Sequence, residues 1–233
     1  MLTNDAVFLK SFFPNVVPLW HGDDGVLDAI NQTLYMTFWT SLVAGIIGLL
    51  LGILLLVTDE HGILENRPFY SVLDKVVNVF RSIPFVILLA ILNGVTRLIV
   101  GTGIGSTAAL VPLIVGSAPF YARQVQNALL TVDAGVVEAA QAMGISPLGI
   151  IFRVYLREGL SELIRVSVLT IISIIGLTAM AGAIGGGGLG NLAINTGYLR
   201  YENDVIWVSL IFILILVFIV QFIGDLLARK THH

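Results

Sequence analysis

Long stretches without a charged residue constrain this chain more than any other feature. No Asp, Glu, Lys or Arg lies between Asp28 and Asp59, between Arg165 and Arg200, or between Asp204 and Asp225. About 20 apolar residues are enough for a helix to cross a bilayer. Hydrophobic residues make up 57% of the chain and charged residues 12%, against roughly 45–50% and 25% in soluble domains. The sequence therefore predicts an all-α integral membrane protein.

Five transmembrane helices are predicted from these stretches and from the charges that bracket them. Pro84 lies in the second of these spans, and Pro112 and Pro119 lie in the third. Each proline removes a backbone donor, so we expect kinks there. The five predicted spans are residues 34–57, 76–99, 106–121, 166–184 and 205–224.

The basic residues predict the orientation of the chain. If the C-terminus is cytoplasmic, only Lys10, Arg97 and Arg200 of the 12 basic residues are external. Cytoplasmic loops carry an excess of Lys and Arg, so we predict an external N-terminus and a cytoplasmic C-terminus.

Three regions are predicted along the chain. Residues 1–30 are expected to be an external or interfacial segment, since Phe13 and Trp20 suit the headgroup region. Residues 31–229 are expected to form one transmembrane domain, and residues 230–233 a C-terminal tail. No second domain is predicted.

Small residues recur on one face of the first predicted span, at Ser41, Gly45, Gly48 and Gly52. Such a stripe lets another helix approach closely in lipid. The spacing fits an interface with a second subunit and a contact within the same chain equally well.

The segment 127–165 is predicted to be a cytoplasmic loop that contains two short helices. Asp133 is a suitable N-cap for a helix over residues 134–143, and Gly144 is suited to end it. Ser146 caps a second helix that has Pro147 at its first position.

The first loop helix presents mostly small side chains and one carboxylate. Small side chains permit close approach by another protein, although a surface helix that merely joins two spans fits the pattern as well. The residues of interest in and after this helix are Glu138, Ala139, Ala140, Ala142, Met143, Gly144, Ser146 and Pro147.

A second candidate site lies in the fourth predicted span. Ser173, Gly176, Met180 and Ala183 share one helical face. Met180 is the one long side chain among them, and its flexible thioether could narrow a pathway along this face. Ordinary packing between helices is the alternative.

Several other functions are disfavoured by the sequence. Gly185, Gly187 and Gly190 match a dinucleotide motif, but no strand and helix of a βαβ unit surround them, and no Walker A lysine follows. The absence of cysteine excludes disulfides and thiolate metal sites. No acidic residue lies in the middle of a span, which disfavours a proton-coupled carrier. The net charge of −3 gives no reason to expect nucleic acid as a partner.

Three motifs resemble the permeases of bacterial methionine ABC importers. Glu138, Ala139 and Ala140, followed by Gly144, are similar to the EAA loop of ABC importer permeases, and residues 81–85 and 179–190 resemble the methionine permeases. The resemblance covers about residues 31–229. In one departure, Leu156-Arg157 stands where the family commonly has Leu-Pro, so the second loop helix is expected to extend toward the fourth span.

The resemblance implies a type I ABC importer permease in the bacterial cytoplasmic membrane. It implies that the loop is a coupling helix for a cytoplasmic ATPase, and that the substrate is D- or L-methionine or a similar amino acid. The implied partners are a second copy of the chain, two ATPase subunits and an external substrate-binding (lipo)protein. The chain itself would need no cofactor and would not be an enzyme, since ATP and Mg²⁺ bind the ATPase. The alternatives are an importer of another amino acid or short peptide, and a channel or carrier that acts alone.

Overall fold

The computed structural model describes residues 13–22 and 25–231, which form helices and turns without a strand among them. Wider π-helical turns continue two of the helices, over Ile151–Tyr155 and Leu192–Tyr198. The stretch Gly182–Gly186 is kinked, because the backbone of Ile184 and Gly185 is not helical. The α-helices are α1 (Val16–Leu19), α2 (Val26–Thr58), α3 (Arg67–Ser82), α4 (Phe85–Val100), α5 (Ser106–Leu129), α6 (Ala134–Ala142), α7 (Pro147–Ile150), α8 (Leu156–Glu158), α9 (Leu160–Ala181), α10 (Gly188–Asn191) and α11 (Asn203–Thr231).

Three helical stretches in the described part of the chain are long and apolar enough to cross a membrane. They are α2, residues Leu160–Gly186 and residues Asn203–Lys230. Helices α3 and α4 are long and apolar enough to cross a membrane only when the two are counted as one span. The first, fourth and fifth predicted spans therefore lie within helices of sufficient length.

The second predicted span, residues 76–99, is not one helix. Helix α3 ends at Ser82 and α4 begins at Phe85, because Pro84 follows Ile83, whose backbone is extended at φ −79° and ψ 122°. A residue before proline is pushed out of the helical region. The expected kink is thus a complete break.

The third predicted span lies in α5, which continues through Pro112 and Pro119 to Leu129. Its 24 residues extend for about 36 Å, which is long enough for a span, but α5 is less apolar than the three stretches above. The count of five spans therefore stays a prediction.

The chain divides into two compact units, of which the first comprises residues Met1–Thr40, Phe85–Leu113 and Ser173–Ile219. Its core joins the start of α2 to α10 and α11 through Val26, Leu189 and Val205. Asn15 donates from its backbone N and its Nδ2 to the carboxylate of Asp204, at 2.9 and 2.8 Å. The described part of the predicted interfacial segment 1–30 is therefore attached to this unit, while residues 1–12 and 23–24 lie outside the described residues.

The glycine-rich stretch after α9 is tightly packed within the first unit. The backbone N–H of Gly188 donates to Gln32 Oε1 at 2.6 Å, and that of Leu189 donates to Thr33 Oγ1 at 2.9 Å. A Cβ on Gly190 would lie 2.1 Å from the carbonyl oxygen of Ala179. These glycines therefore permit close backbone packing of the turn, which is a structural role and not the binding of a nucleotide.

The second unit comprises residues Ser41–Pro84, Ile114–Ile172 and Val220–His233. Here α2 packs on α5, since a Cβ on Gly48 would lie 2.8 Å from the Ala118 carbonyl oxygen, and one on Gly52 would lie 2.6 Å from that of Ala122. The small-residue stripe therefore makes a contact within the chain at these two glycines. At Gly45, in contrast, no atom lies within 4 Å of the added Cβ.

A polar cluster joins α3 to α5 in the second unit. Arg123 forms an ion pair with Asp74 and donates to Asn78 Oδ1 at 3.2 Å and to Gln126 Oε1 at 2.7 Å. Both charged side chains are largely buried, with 17% and 26% exposure for Arg123 and Asp74. A buried charge requires such a partner, so this cluster ties the polar face of α3 to α5.

Candidate coupling surface and pathway face

The loop 127–165 contains the two predicted helices with the predicted caps. Asp133 accepts from the backbone N of Gly135 at 2.7 Å at the start of α6. Gly144, at φ +71°, follows the end of the helix. Ser146 accepts from the Gly149 N–H at 3.3 Å, and Pro147 is the first residue of α7. Both turns of the loop are thus encoded by local chemistry.

The helical path continues from Pro147 to Glu158 through α7, the π-helical turn and α8. Arg157 lies inside this path, where proline would remove a backbone donor. Only Gly159 separates the path from α9. The expectation that the second loop helix extends toward the fourth span is therefore confirmed.

One face of α6 is used inside the chain. Val137 and Ala140 are buried, and they form a cluster with Ile150 and Val154. Residues three apart share a helical face, so Ala140 points to the same side as Val137. Ala140 therefore does not lie on the exposed side of α6: its small size lets α6 pack on the second loop helix, and its predicted part in the coupling site stays a prediction.

The opposite face of α6 and the turn after it are exposed. Met143 is 72% exposed, which is a large apolar area for a residue in a loop. The predicted residues that lie on this exposed side are Glu138, Ala139, Ala142, Met143, Gly144, Ser146 and Pro147.

The structure adds three apolar residues that the sequence interpretation missed. Val136 is 45% exposed, and Leu148 and Phe152 are each 66% exposed. The sequence spacing could have indicated two of them. Leu148 and Phe152 are four residues apart in the helix that begins at Pro147, so they lie on the same helical face. Together with the exposed residues of α6 and its turn, these three form what we call the coupling surface. Exposed large apolar side chains of this kind are typical of a protein-binding site.

The predicted pathway residues lie together on α9 and its continuation, in the first unit. Met180 is 42% exposed, and an added Cβ at Gly176 would meet no atom within 4 Å. The opposite side of the helix is buried, with Ile174, Ile175 and Thr178 at 1–2% exposure. Ser173 and Ala183 are half-buried. Gly176 and Met180 are therefore exposed, and we call the side of the helix that they share with Ser173 and Ala183 the pathway face.

Among the described residues, no three His, Asp or Glu side chains lie close enough to bind a metal ion. Burial raises the pKa of the Tyr155 phenol in the loop, so this side chain stays neutral and acts as a packing group beside Ile150 and Val154.

Comparison with known proteins gives consistent matches over nearly the whole chain. The family model for the binding-protein-dependent transport system inner membrane component matches residues 44–233. A probable D-methionine transport system permease protein of Vibrio cholerae is 44% identical over 221 residues, which is 94% of this chain and 98% of that protein. A methionine import system permease protein of Bacillus subtilis is 49% identical over 222 residues, 94% of this chain and 97% of that protein.

Solved structures have the same fold. An inward-facing conformation of the MetNI methionine ABC transporter superposes with a TM-score of 0.87 at 43% identity, over 89% of this chain and 96% of that one. An amino acid ABC transporter with histidines superposes with a TM-score of 0.72 at 17% identity, over 97% of each chain, which supports the fold alone. The type I ABC importer permease fold is thus confirmed, and the chain belongs to the family of binding-protein-dependent transport system inner membrane components.

Proposed function

We propose that this chain is the membrane permease subunit of an ATP-driven importer that carries methionine, as the D- or L-isomer, into the cell. Relatives that share 44% and 49% of its sequence are named as permeases for D-methionine and methionine. The alignments extend over 94% of the chain, so the substrate is inferred from whole-length similarity and not from one motif.

The coupling surface is the observation that carries the proposal. A channel or a carrier that acts alone has no use for an exposed apolar surface around Glu138 in a loop between spans. We infer that a cytoplasmic ATPase subunit binds there, with Met143, Leu148 and Phe152 as the apolar contacts and Glu138 as the charged one. ATP and Mg²⁺ belong to that subunit, and the permease itself catalyses no reaction.

Two copies of the permease would face each other around the passage. The pathway face, with Met180 as its one long side chain and 42% exposed, would line this passage. Binding of ATP elsewhere then shifts the populations of inward-open and outward-open states, because the two states hold the ATPase subunits differently. An external binding protein would deliver the substrate, at the side opposite to the coupling surface.

Substitution of Glu138 tests the coupling role. In vesicles containing the reconstituted permease, ATPase and binding protein, we expect Glu138→Lys to reduce ATP-driven uptake at least tenfold. The expected partner of the Glu138 carboxylate is a basic group of the ATPase subunit, which would repel a lysine. Like charges placed together at an interface cost several kcal/mol. Glu158→Lys makes the same charge change at another exposed position of the loop and should leave uptake nearly unchanged. Equal uptake by the two variants would refute the assignment of Glu138 to the interface.

The substrate is tested separately with the unmodified complex. Uptake of labelled D-methionine, L-methionine and a panel of other amino acids should show methionine as the best substrate. Preference for a different amino acid would overturn the substrate proposal while leaving the ATPase contact intact, since the coupling surface does not touch the substrate.

A further inference from the structure

A cleft between α9 and α11 has no role in the function proposed above. It has a volume of about 780 Å³ and lies entirely within the second unit. Apolar residues such as Val168, Leu169 and Ala228 line it together with the charged side chains of Arg165 and Arg229. None of these residues belongs to the coupling surface or to the pathway face.

The cleft lies at the ends of two apolar stretches. Gly224 is in contact with Val168, since an added Cβ would lie 2.1 Å from Val168 Cγ2. Arg165 comes just before the uncharged stretch of α9, and Asp225 comes just after that of α11. Charges at the ends of membrane-spanning stretches lie at the level of the lipid headgroups. A ligand in this cleft would therefore be at the membrane surface.

The charges in the cleft are of both signs. Arg165 uses Nη1 to donate to Glu162 Oε1 at 3.1 Å, and its side chain is 54% exposed. A guanidinium has further N–H donors that fit phosphate oxygens. Arg229 is exposed as well. Asp225 accepts from Gln221 Nε2 at 3.0 Å, and both residues line the cleft. A matching ligand thus has an anionic group for the arginines and a cationic group for the carboxylate.

An apolar surface continues from the cleft along α11. Phe222, Ile223 and Leu226 are 68%, 53% and 46% exposed, and little of the apolar part of this helix is buried within the chain. Acyl chains cover such a surface in a bilayer. The ligand that fits all of these features is an amphiphile whose headgroup carries both charges.

We propose that this cleft binds a phospholipid with a phosphoethanolamine headgroup. Arg165 and Arg229 donate to the phosphate oxygens, the primary ammonium group donates to Asp225, and the acyl chains lie along Phe222 and Ile223. Basic pockets between helices at the membrane surface are known lipid headgroup sites. The carboxylate makes this site selective for the amine, because a headgroup without an amine would leave Asp225 beside the phosphate with no cationic group of the ligand as its partner.

Native mass spectrometry of the full-length permease in detergent tests the proposal by titration with phosphatidylethanolamine. Replacing both arginines, Arg165→Gln with Arg229→Gln, should weaken binding roughly tenfold or more, since two charge-assisted contacts are lost. The control Arg157→Gln removes one exposed positive charge in the loop outside the cleft and should bind normally. Replacing both arginines by lysine keeps the charge and should give an intermediate loss.

Asp225→Asn tests the selectivity for the amine. It should remove the preference for phosphatidylethanolamine over phosphatidylglycerol, which has no amine. Glycerophosphoethanolamine, the same headgroup without acyl chains, should not compete at equal concentration.

The first three of four results that would overturn the proposal concern lipid binding. They are normal lipid binding by the double glutamine variant, an equal loss in Arg157→Gln, and full competition by glycerophosphoethanolamine, which would indicate a site for a soluble phosphate. A double variant that instead loses a dimer mass would assign the cleft to an interface between copies. Binding is measured on the permease alone, so the outcome does not depend on the transport proposal.

Discussion

Substitutions of the α2 glycines by alanine separate close helix packing from helix propensity. Gly45 and Gly52 lie in the same helix, and alanine improves helix propensity at both by about 0.5–1 kcal/mol. The two positions differ only in surroundings. At Gly45 an added Cβ has no neighbour within 4 Å, whereas at Gly52 it would lie 2.6 Å from the Ala122 carbonyl oxygen and 2.7 Å from the Val125 side chain.

The expected magnitude follows from these contacts. A separation of 2.6 Å is shorter than any normal contact of a Cβ, and the atom it meets is backbone, so α5 must move away from α2. Forcing an extra methyl group into a packed contact costs about 1–3 kcal/mol. Since the gain in propensity is common to both variants, Gly52→Ala should be less stable than Gly45→Ala by about this amount.

Thermal unfolding of the two purified variants in the same detergent measures the difference. For a chain of this size, about 1 kcal/mol corresponds to a shift of about 2–4 °C in Tm, so Gly52→Ala should melt roughly 2–12 °C below Gly45→Ala. Equal melting temperatures would refute the conclusion that α2 and α5 are in contact at Gly52. A lower Tm for Gly45→Ala would instead indicate that the second copy covers that position.

Two further predictions concern orientation and the pathway face. Because the chain has no cysteine, a single introduced cysteine is the only thiol in it that a reagent can label. In intact cells, Leu199→Cys should react with an impermeant thiol reagent from outside and Glu158→Cys should not. The reverse pattern would contradict the proposed topology. Met180→Ala should change the stability of the purified complex little, because the side chain is 42% exposed, but should increase ATP-independent leak of substrate from vesicles. The control is Ile174→Ala on the same helix, where the side chain is 1% exposed. This variant should lower the free energy of unfolding by about 2–5 kcal/mol and should cause no leak of substrate. A Met180→Ala complex that does not leak but is strongly destabilised would show that Met180 is a packing residue.

Local features of this protein were determined by the sequence itself. The uncharged stretches specify the apolar helices, because the backbone and side chains in each stretch have no better solvent than lipid. The caps at Asp133 and Ser146 and the turn at Gly144 follow from bonds between residues a few positions apart. Resemblance to a known family came from equally local motifs, such as residues 138–144.

Features that depend on which surfaces meet were decided only by the tertiary structure. Pro84 was expected to kink a single span, whereas α3 and α4 are two separate helices with Ile83 and Pro84 between them. Ala139 and Ala140 are the same residue in adjacent positions, yet only Ala140 is buried, because Ile150 and Val154 of the second loop helix cover that side. Likewise Gly48 and Gly52 contact α5 whereas Gly45 does not. A helical period shows which residues share a face, but the partner that covers this face comes from a distant part of the chain, and local spacing carries no information about it.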